Sequence, residues 1–577
     1  MGSTAQYHTL HVRGLEKDSF LAISKIGTQF NSFVECNDAL QNARKTLLSE
    51  GYLTHSIDSV IVDDSATSAH VKVGKQYRWA TLKNKNIPSW LLTQSRFDEK
   101  KYFNQTLEIK KLGPVFEKII RYFEDNGYPF AYLTLDSVEI NNQSVSALLH
   151  LEKGPLTKID TILINEDINI SHNFITQYLG LSDGDLYSES KIKNINSRIR
   201  ELSFLQIAYP WRMDFTSTTN KLNLYLKAKS ANRADVLIGL QPSTQETGGK
   251  FLLTGDIKMA FVNALGQGES LQLNWQNLQF KSPRYDIQFS VPYLLATPIG
   301  ISGKFDFYKK DTSFRTINGE LGIFYQLNAN DRIKVYYELA SSRLGTINIP
   351  SLVSSRKLPN TADVSYKTFG SEFTLQKVDY KLNPRTGYKL IVNASLSFRK
   401  ILKNNTIENT FDPIAGKNFS YLYDSLQLKN NKYNLTAQLH YYLPLSKRLI
   451  LASIYNGGIA YSNNALYRNE LFQIGGYRLL RGFDEGSLFV NHYQILTVEP
   501  RYLISLNSFF FVFTDLAYVQ SKFADSFQKD TPYSLGLGMA FETKAGIFNI
   551  SYGVGKSANQ GFELRNSKVH FGYASVF

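Results

Sequence analysis

From about residue 234 to the C terminus the chain keeps one pattern: apolar and polar side chains alternate in short runs, separated by turn residues, with no helical period. In RYDIQFSVPYLL, Tyr285, Ile287 and Phe289 fall on one face, and Asp286, Gln288 and Ser290 on the other. In KFDFYKK, Phe305 and Phe307 flank Asp306. Sixteen such runs follow one another, from ADVLIGLQP to SKVHFGYASVF. A soluble β-sandwich also alternates, but this stretch is long for one sandwich. Many of the runs come close to the roughly 9–11 residues of a tilted membrane-crossing strand. The pattern predicts a 16-stranded antiparallel transmembrane β-barrel over 231–577, and the even strand number fits an up-and-down outer-membrane barrel.

The first 230 residues follow a different rule and repeat it. Three helix-to-strand junctions recur: ARKTLLSEGYLTHSIDSVIVDD, KIIRYFEDNGYPFAYLTLDSVEIN and INSRIRELSFLQIAYPWRMDF. Each opens with apolar residues at helical spacing (Leu47 and Leu48; Ile119, Ile120 and Phe123; Ile195, Ile199 and Leu202) and then breaks into an alternating strand. The first two breaks are Gly51-Tyr52 and Gly127-Tyr128, where a glycine suits a helix C-terminus. The third is Ser203-Phe204, which keeps the aromatic and lacks the glycine. A strand closes at Gly74 and another at Gly154. Ser171 and Ser188 are expected helix N-caps. The repeating unit reads strand, helix, helix, strand, strand, and this βααββ order resembles the POTRA domain. The expected division is leader residues 1–5, POTRA-like units at 6–75, 76–154 and 155–230, and the barrel after them.

Composition agrees with strands. The chain has 577 residues, 43% hydrophobic and 13% aromatic, with 35 Tyr and 38 Phe but only 4 Trp. Mean hydropathy is −0.24, and no apolar run is long enough for a transmembrane helix. The start, MGSTAQYHTLHV, has neither the basic nor the apolar region of a signal peptide, and reads as a mature chain behind a short leader. The lone Cys36 allows no intrachain disulfide. The net charge of +14 raises nucleic acid as a partner. The Lys/Arg residues are scattered through expected loops such as RKILKNNTIENTF and QLKNNKYN, so no nucleic-acid partner is expected.

One segment breaks the repetition. IGGYRLLRGFDEGSLF, inside the expected loop at 463–491 between strands eleven and twelve, packs four glycines and two arginines into a short span. Tandem POTRA-like units, sixteen strands and GG…LRGF together resemble the POTRA-barrel superfamily of the BamA and TamA type, with a layout most similar to TamA. The resemblance implies that Gly475, Gly476, Arg481, Gly482 and Phe483 form a loop folded back into the lumen, its arginine meeting acids on the inner wall. Physical chemistry supports the same picture. A re-entrant loop needs tight turns at glycine, and a guanidinium can grip a carboxylate through two parallel hydrogen bonds. In FFVFTDLAYV, alternation sends Val512, Leu516 and Tyr518 to lipid and Asp515 inward with Phe513. Glu499 in LTVEPRY is the second inward candidate. The family pattern Phe-x-Asp-x-Gly reads here Phe513-Thr-Asp515-Leu-Ala517. The terminal His570, Gly572 and Phe577 resemble the C-terminal β-signal of outer-membrane barrels, with Ser575 where an apolar residue is usual.

The resemblance implies assembly or translocation of proteins. The expected seam joins the first strand, weakened by Gly239 and Pro242, to the last, which carries Gly572. Its edges would meet client strands, while POTRA edges accept extended clients by β-augmentation. Expected partners are outer-membrane lipids, unfolded outer-membrane or secreted clients, and periplasmic or inner-membrane accessory proteins or lipoproteins. The expected place is a Gram-negative outer membrane, with the POTRA units in the periplasm. A two-partner-type secretion pore, a passive porin with periplasmic domains and an adhesin are the alternatives. The re-entrant loop argues against the porin, and the Asn/Lys-rich loop at 403–428 shows no adhesin motif. No enzyme, cofactor or metal is expected. YGVGKS places Ile550 where a phosphate loop needs its first glycine. The nine histidines lack metal-ligand spacing, and no Gly-x-Ser-x-Gly elbow occurs.

Overall fold

The structure, a computed structural model, describes residues 7–63, 65–165, 168–241, 252–277, 281–328, 330–380, 383–477, 479–523, 526–543 and 546–576. The chain divides into two compact units. The first is Met1–Leu163, Ser182–Ile195 and Arg212–Leu222; the second is Ile164–Leu181, Asn196–Trp211 and Asn223–Phe577. The division runs through the third repeat rather than after it.

In the first repeat, helix Phe33–Ser49 starts where the Ser32 side chain accepts from the Glu35 N–H. It buries Cys36, Leu40, Ala43 and Leu47, one side of a helix, against Leu10, Ala69 and Val71 of the sheet. Gly51 takes φ +86°, the left-handed turn that ends such a helix. The second repeat does the same with Leu112, Val115, Ile119 and Phe123 of helix Ile109–Glu124, packed on Val145, Leu149 and Leu151. In the third, Ser171 and Ser188 hold the N-cap positions, but neither side chain caps its helix. At Ser188 the work passes to Asp125, whose carboxylate accepts from the Ser190 N–H at 2.7 Å and from the Ser188 hydroxyl at 3.0 Å. A carboxylate is the stronger acceptor for helix N–H groups, so it displaces the hydroxyl.

Sixteen barrel strands follow: β1 Arg233–Gln241, β2 Leu252–Val262, β3 Ser270–Asn277, β4 Pro283–Val291, β5 Ile299–Lys310, β6 Phe314–Gln326, β7 Arg332–Leu344 and β8 Asp363–Val378; then β9 Gly387–Leu402, β10 Lys429–Pro444, β11 Leu449–Ser462, β12 His492–Leu503, β13 Phe509–Phe523, β14 Tyr533–Glu542, β15 Ile547–Lys556 and β16 Lys568–Val576. Each pairs antiparallel with the next, and β16 pairs with β1, closing the barrel. Burial is inverted relative to a soluble protein. Leu321 is 74% exposed on the outer face of β6, while Asp306 on the inner face of β5 is 4% exposed. Apolar out and charged in is the arrangement that lipid demands.

The wall is uneven. β8 and β9 pair over sixteen residues, from Asp363 opposite Leu402 to Val378 opposite Gly387. The seam between β1 and β16 has seven pairs, from Arg233 opposite Val576 to Gly239 opposite His570. β15 and β16 also have seven, so short pairing marks both sides of the last strand, not the seam alone.

One end of the barrel has short turns such as 445–448 and 504–508; the other carries 345–362, 403–428 and 463–491. At the short-turn end, helix His172–Leu179 sets Phe174 and Tyr178 against Tyr293, with ring centroids 5.5 and 6.4 Å apart. Gly268 lies under Phe174, where a Cβ would fall 2.0 Å from the ring. At the other end, loops 345–362 and 403–428 build a small core from Leu352, Ile407, Phe419 and Tyr423. Asp412 ties it together. It accepts from Arg356 Nε at 2.9 Å, from the Tyr421 hydroxyl at 2.7 Å and from the N–H groups of Ile414 and Ala415.

Burial pushes the pKa of Asp412 up, but the hydrogen bonds from Tyr421, Ala415, Ile414 and Arg356 outweigh it and hold the carboxyl at about 2, below its ordinary 3.8. A lowered folded pKa stabilises above the ordinary value, and that contribution is lost as pH falls toward the folded one. Hydrogen exchange across 405–423, corrected for intrinsic rates, is therefore expected to rise as pH drops from about 4 to about 2. In Asp412→Asn the exchange is expected to be fast already at neutral pH and flat through that window.

Candidate functional site

Loop 463–491 leaves β11, enters the lumen and returns to β12. Its tip turns on glycines with positive φ: Gly475 at +109°, Gly476 at +95° and Gly482 at +90°. At Gly482 the need is steric as well, since a Cβ there would lie 2.6 Å from the Gly555 nitrogen on β15. The wall beneath is cleared in the same way. A Cβ on Gly555 would lie 2.6 Å from the Phe483 ring, and one on Gly553 would lie 3.4 Å from the Gly482 nitrogen. The glycines of YGVGKS thus have a structural reason: they let the loop backbone rest on the barrel backbone. Phe483 is buried with Ile474, Leu480, Val490, Tyr493 and Ile495.

This footing delivers Arg481 to two acids. Its Nε and Nη2 donate to the two carboxylate oxygens of Asp515 at 3.2 and 2.9 Å, a bidentate grip. Its Nη1 donates to Glu499 Oε2 at 2.6 Å. The guanidinium carbon lies 3.4 Å from the centroid of Phe513, face-on as a cation–π contact requires. Asp515 accepts three further bonds: from the Arg481 backbone N–H at 2.9 Å, from Thr497 Oγ1 at 2.7 Å and from Ser534 Oγ at 2.9 Å. Glu499 also accepts from Arg501 Nε at 2.9 Å. Two guanidinium groups thus face two carboxylates in a nearly dry pocket, where side-chain exposure is 11% for Arg481, 7% for Glu499 and 1% for Asp515. Such a site tolerates full pairing and little else.

Sequence reasoning brought Arg481, Asp515 and Glu499 into view and overlooked Arg501, Thr497 and Ser534. Thr497, Glu499 and Arg501 alternate along β12, so the same inward parity covers all three. Ser534 is directly opposite Asp515 in register, a pairing visible only once β13 and β14 are aligned. Also overlooked was a second anchor nearer the loop's start. Arg399 on β9 donates to Glu470 at 2.6 Å from Nε and 2.5 Å from Nη2, both side chains having no exposure. Lys432 on β10 donates to the Glu470 carbonyl at 2.8 Å, and the Tyr366 hydroxyl on β8 donates to its carboxylate. A third contact reaches the last strand, through Asp484 to Lys568 at 2.6 Å and Tyr477 to the His570 ring at 5.4 Å.

At the seam, Gly239 stands opposite His570 and Gly572 opposite Leu237. Pro242 and Phe577 lie outside the described residues. Among the described residues no group of His, Cys, Asp and Glu has the geometry to hold a metal.

The sequence model of the Omp85 superfamily domain matches residues 263–577. Solved structures of CdiB share the fold, and a solved structure of BamA is also similar to the chain. CdiB from Escherichia coli is 12% identical with a TM-score of 0.53, covering 94% of this chain and 98% of that one. CdiB from Acinetobacter baumannii is 13% identical with a TM-score of 0.52, covering 97% and 98%. BamA from Haemophilus ducreyi lacking POTRA domains 1–3 is 15% identical with a TM-score of 0.48, covering 87% and 100%. No curated protein sequence matches the chain.

Breaking a buried pair leaves the other charge stranded, at a cost of about 3–5 kcal/mol. Arg481→Ala is expected to lower the temperature at which the barrel loses its heat-resistant mobility in gel electrophoresis. In a cycle with Asp515→Ala, a coupling energy above about 1 kcal/mol is expected; additive effects would refute the pairing. Glu470→Gln keeps the shape and removes the charge facing Arg399. It is expected to raise protease access to the loop at 463–471 while leaving the Arg481–Asp515 coupling intact.

Proposed function

The chain belongs to the Omp85 superfamily, a β-barrel of the Gram-negative outer membrane, and on that premise we propose that it assembles or translocates other proteins. In this reading the POTRA-like units stand in the periplasm and the long loops face outward. Unfolded outer-membrane or secreted clients arrive as extended segments, pair with exposed sheet edges of those units, and are passed to the barrel. The seam between β1 and β16 then parts, and its strand edges template the incoming strand. Periplasmic or inner-membrane accessory proteins fit the same route. No covalent chemistry is involved.

The observation that carries this reading is the clamped loop. A pore for free diffusion of solutes keeps its lumen open, whereas here a loop is seated across it by three sets of polar contacts. Short pairing on both sides of β16, seven backbone pairs with β1 and seven with β15, supports parting beside that strand.

The test is reconstitution of the full chain in liposomes, reading ion conductance together with the insertion rate of an unfolded barrel client. Accelerated insertion with small, flickering conductance supports assembly; large, steady conductance without insertion supports a dedicated secretion pore and overturns it. The seam is tested in the same assay. Leu237 and Gly572 stand directly opposite each other; a Cβ on Gly572 would crowd the Leu237 side chain, at 3.2 Å, that the exchange removes, and meet Asn549 at an ordinary 3.7 Å. In a Cys36→Ala background, Leu237→Cys with Gly572→Cys is expected to form a disulfide that drops insertion to the rate of protein-free liposomes, restored by reduction. Full activity while crosslinked would exclude lateral opening and leave the assembly reading standing.

A further inference from the structure

The outer face of the barrel is apolar along its middle, and cations gather at its rims, most densely on β5 to β10 at the long-loop end. On β5, β6 and β7, Lys309 is directly opposite Arg315, and Arg315 directly opposite Arg343. On β9 and β10, Lys400 is directly opposite Lys429, and Lys367 on β8 shares the same outward parity. All six occupy outward positions at the long-loop end. One outward step below Arg315 and Lys400, about 7 Å along a strand, the apolar band begins, with Ile317 43% and Phe398 50% exposed; Lys367 stands level with Phe398, directly opposite it. Tyr433 and Tyr461 stand at this border, their rings 6.3 Å apart, as interfacial aromatics do.

Like charges set directly opposite on neighbouring strands repel, and nothing in the wall offsets them. Among the described outward positions of β5 to β10, Asp363 is the single carboxylate, next after Val364 in the register with β7. It is 8% exposed and turned into the loops, accepting from the Leu344 N–H at 2.6 Å and Asn404 Nδ2 at 2.8 Å. None of the six cations has a carboxylate partner among the described residues. By contrast, lumen cations on the same strands find acids: Arg284 pairs with Asp306 at 2.8 Å, and Lys334 with Glu320 at 3.0 Å. A cationic collar left without counter-charge in the wall, at the height where a lipid's polar head begins, is complementary to one neighbour.

We propose that this collar binds the phosphate groups of anionic lipid head groups in the leaflet at the long-loop end. Two clusters form the site, Lys309–Arg315–Arg343 and Lys400–Lys429 with Lys367 beside them. Each presents cations on adjacent strands at a spacing that one phosphate bridges, and arginine adds a fork that matches phosphate oxygens. The inference rests on the barrel's place in a membrane and not on its role in assembly.

The test uses the full-length protein in nanodiscs of phosphatidylcholine alone, of phosphatidylcholine with a diphosphorylated glycolipid, and of phosphatidylcholine with the same glycolipid stripped of its phosphates. Lipid retained on the barrel after transfer to mild detergent is read by intact-complex mass spectrometry. The phosphorylated lipid is expected to be retained over the stripped one, the preference falling as salt is raised. In Arg315→Gln/Arg343→Gln/Lys400→Gln/Lys429→Gln it is expected to vanish. If that variant does not fold, Arg315→Gln and Lys429→Gln are each expected to reduce it alone. Equal retention of both glycolipids by the unaltered protein, or an unchanged preference in the variants, overturns the proposal. So does full competition by inorganic phosphate at the lipid's own concentration, which would assign the site to a free anion.

Discussion

A carboxylate that cannot reach water governs this barrel. Asp515 has 1% side-chain exposure, and a charge so placed must be fully hydrogen-bonded or it destabilises the fold by several kcal/mol. Five hydrogen bonds meet it, three of them from a single residue of a distant loop. The loop therefore has one seat. Its glycines and those of β15 follow from that requirement, because Arg481 reaches Asp515 only if the backbone at Gly482 can lie against Gly555. Arg501 completes the balance of charge, since without it Arg481 alone would face both Asp515 and Glu499.

The same loop is held at points far apart on the wall. Glu470 ties its start to β8, β9 and β10, Arg481 ties its tip to β12 and β13, and Asp484 ties its return to β16. The first two anchors differ in kind. The Arg399–Glu470 pair has no exposure and joins the loop to the tallest strands. The Arg481 site is built on side chains that also bond one another along β12.

Alternation made the architecture legible, because a strand with one face in lipid and one in a polar lumen must keep a period of two. Sixteen strands could be read that way, and inward parity singled out Asp515 and Glu499; the βααββ units were read instead from their recurring helix-to-strand junctions. Parity could not find Arg399 and Glu470, since β9 and the loop lie 71 residues apart and neither segment carries a local signal. Nor could it assign Gly553 and Gly555, whose reason is the backbone lying above them. The Ser188 cap failed for a related cause: a stronger acceptor, Asp125, arrived from 63 residues away. Local rules hold where nothing distant competes.

The two sides of the seam are not equivalent. β16 is gripped from within, Lys568 by Asp484 and His570 by the ring of Tyr477. Among the described residues β1 has no such grip; Arg233 and Asp235 line a cavity of about 310 Å³ together with Asp256, Lys258, Asn549, Tyr477 and, from β16, Gly572 and Tyr573. Arg233 and Asp235 pair with each other along β1, at 2.5 Å. If the proposed seam parts, β16 has contacts to lose beyond the seven backbone pairs, and β1 has its pairing with β2 to stay attached by, over nine residues. In such a parting β1 keeps its partner β2, and β16 keeps its contacts with the loop.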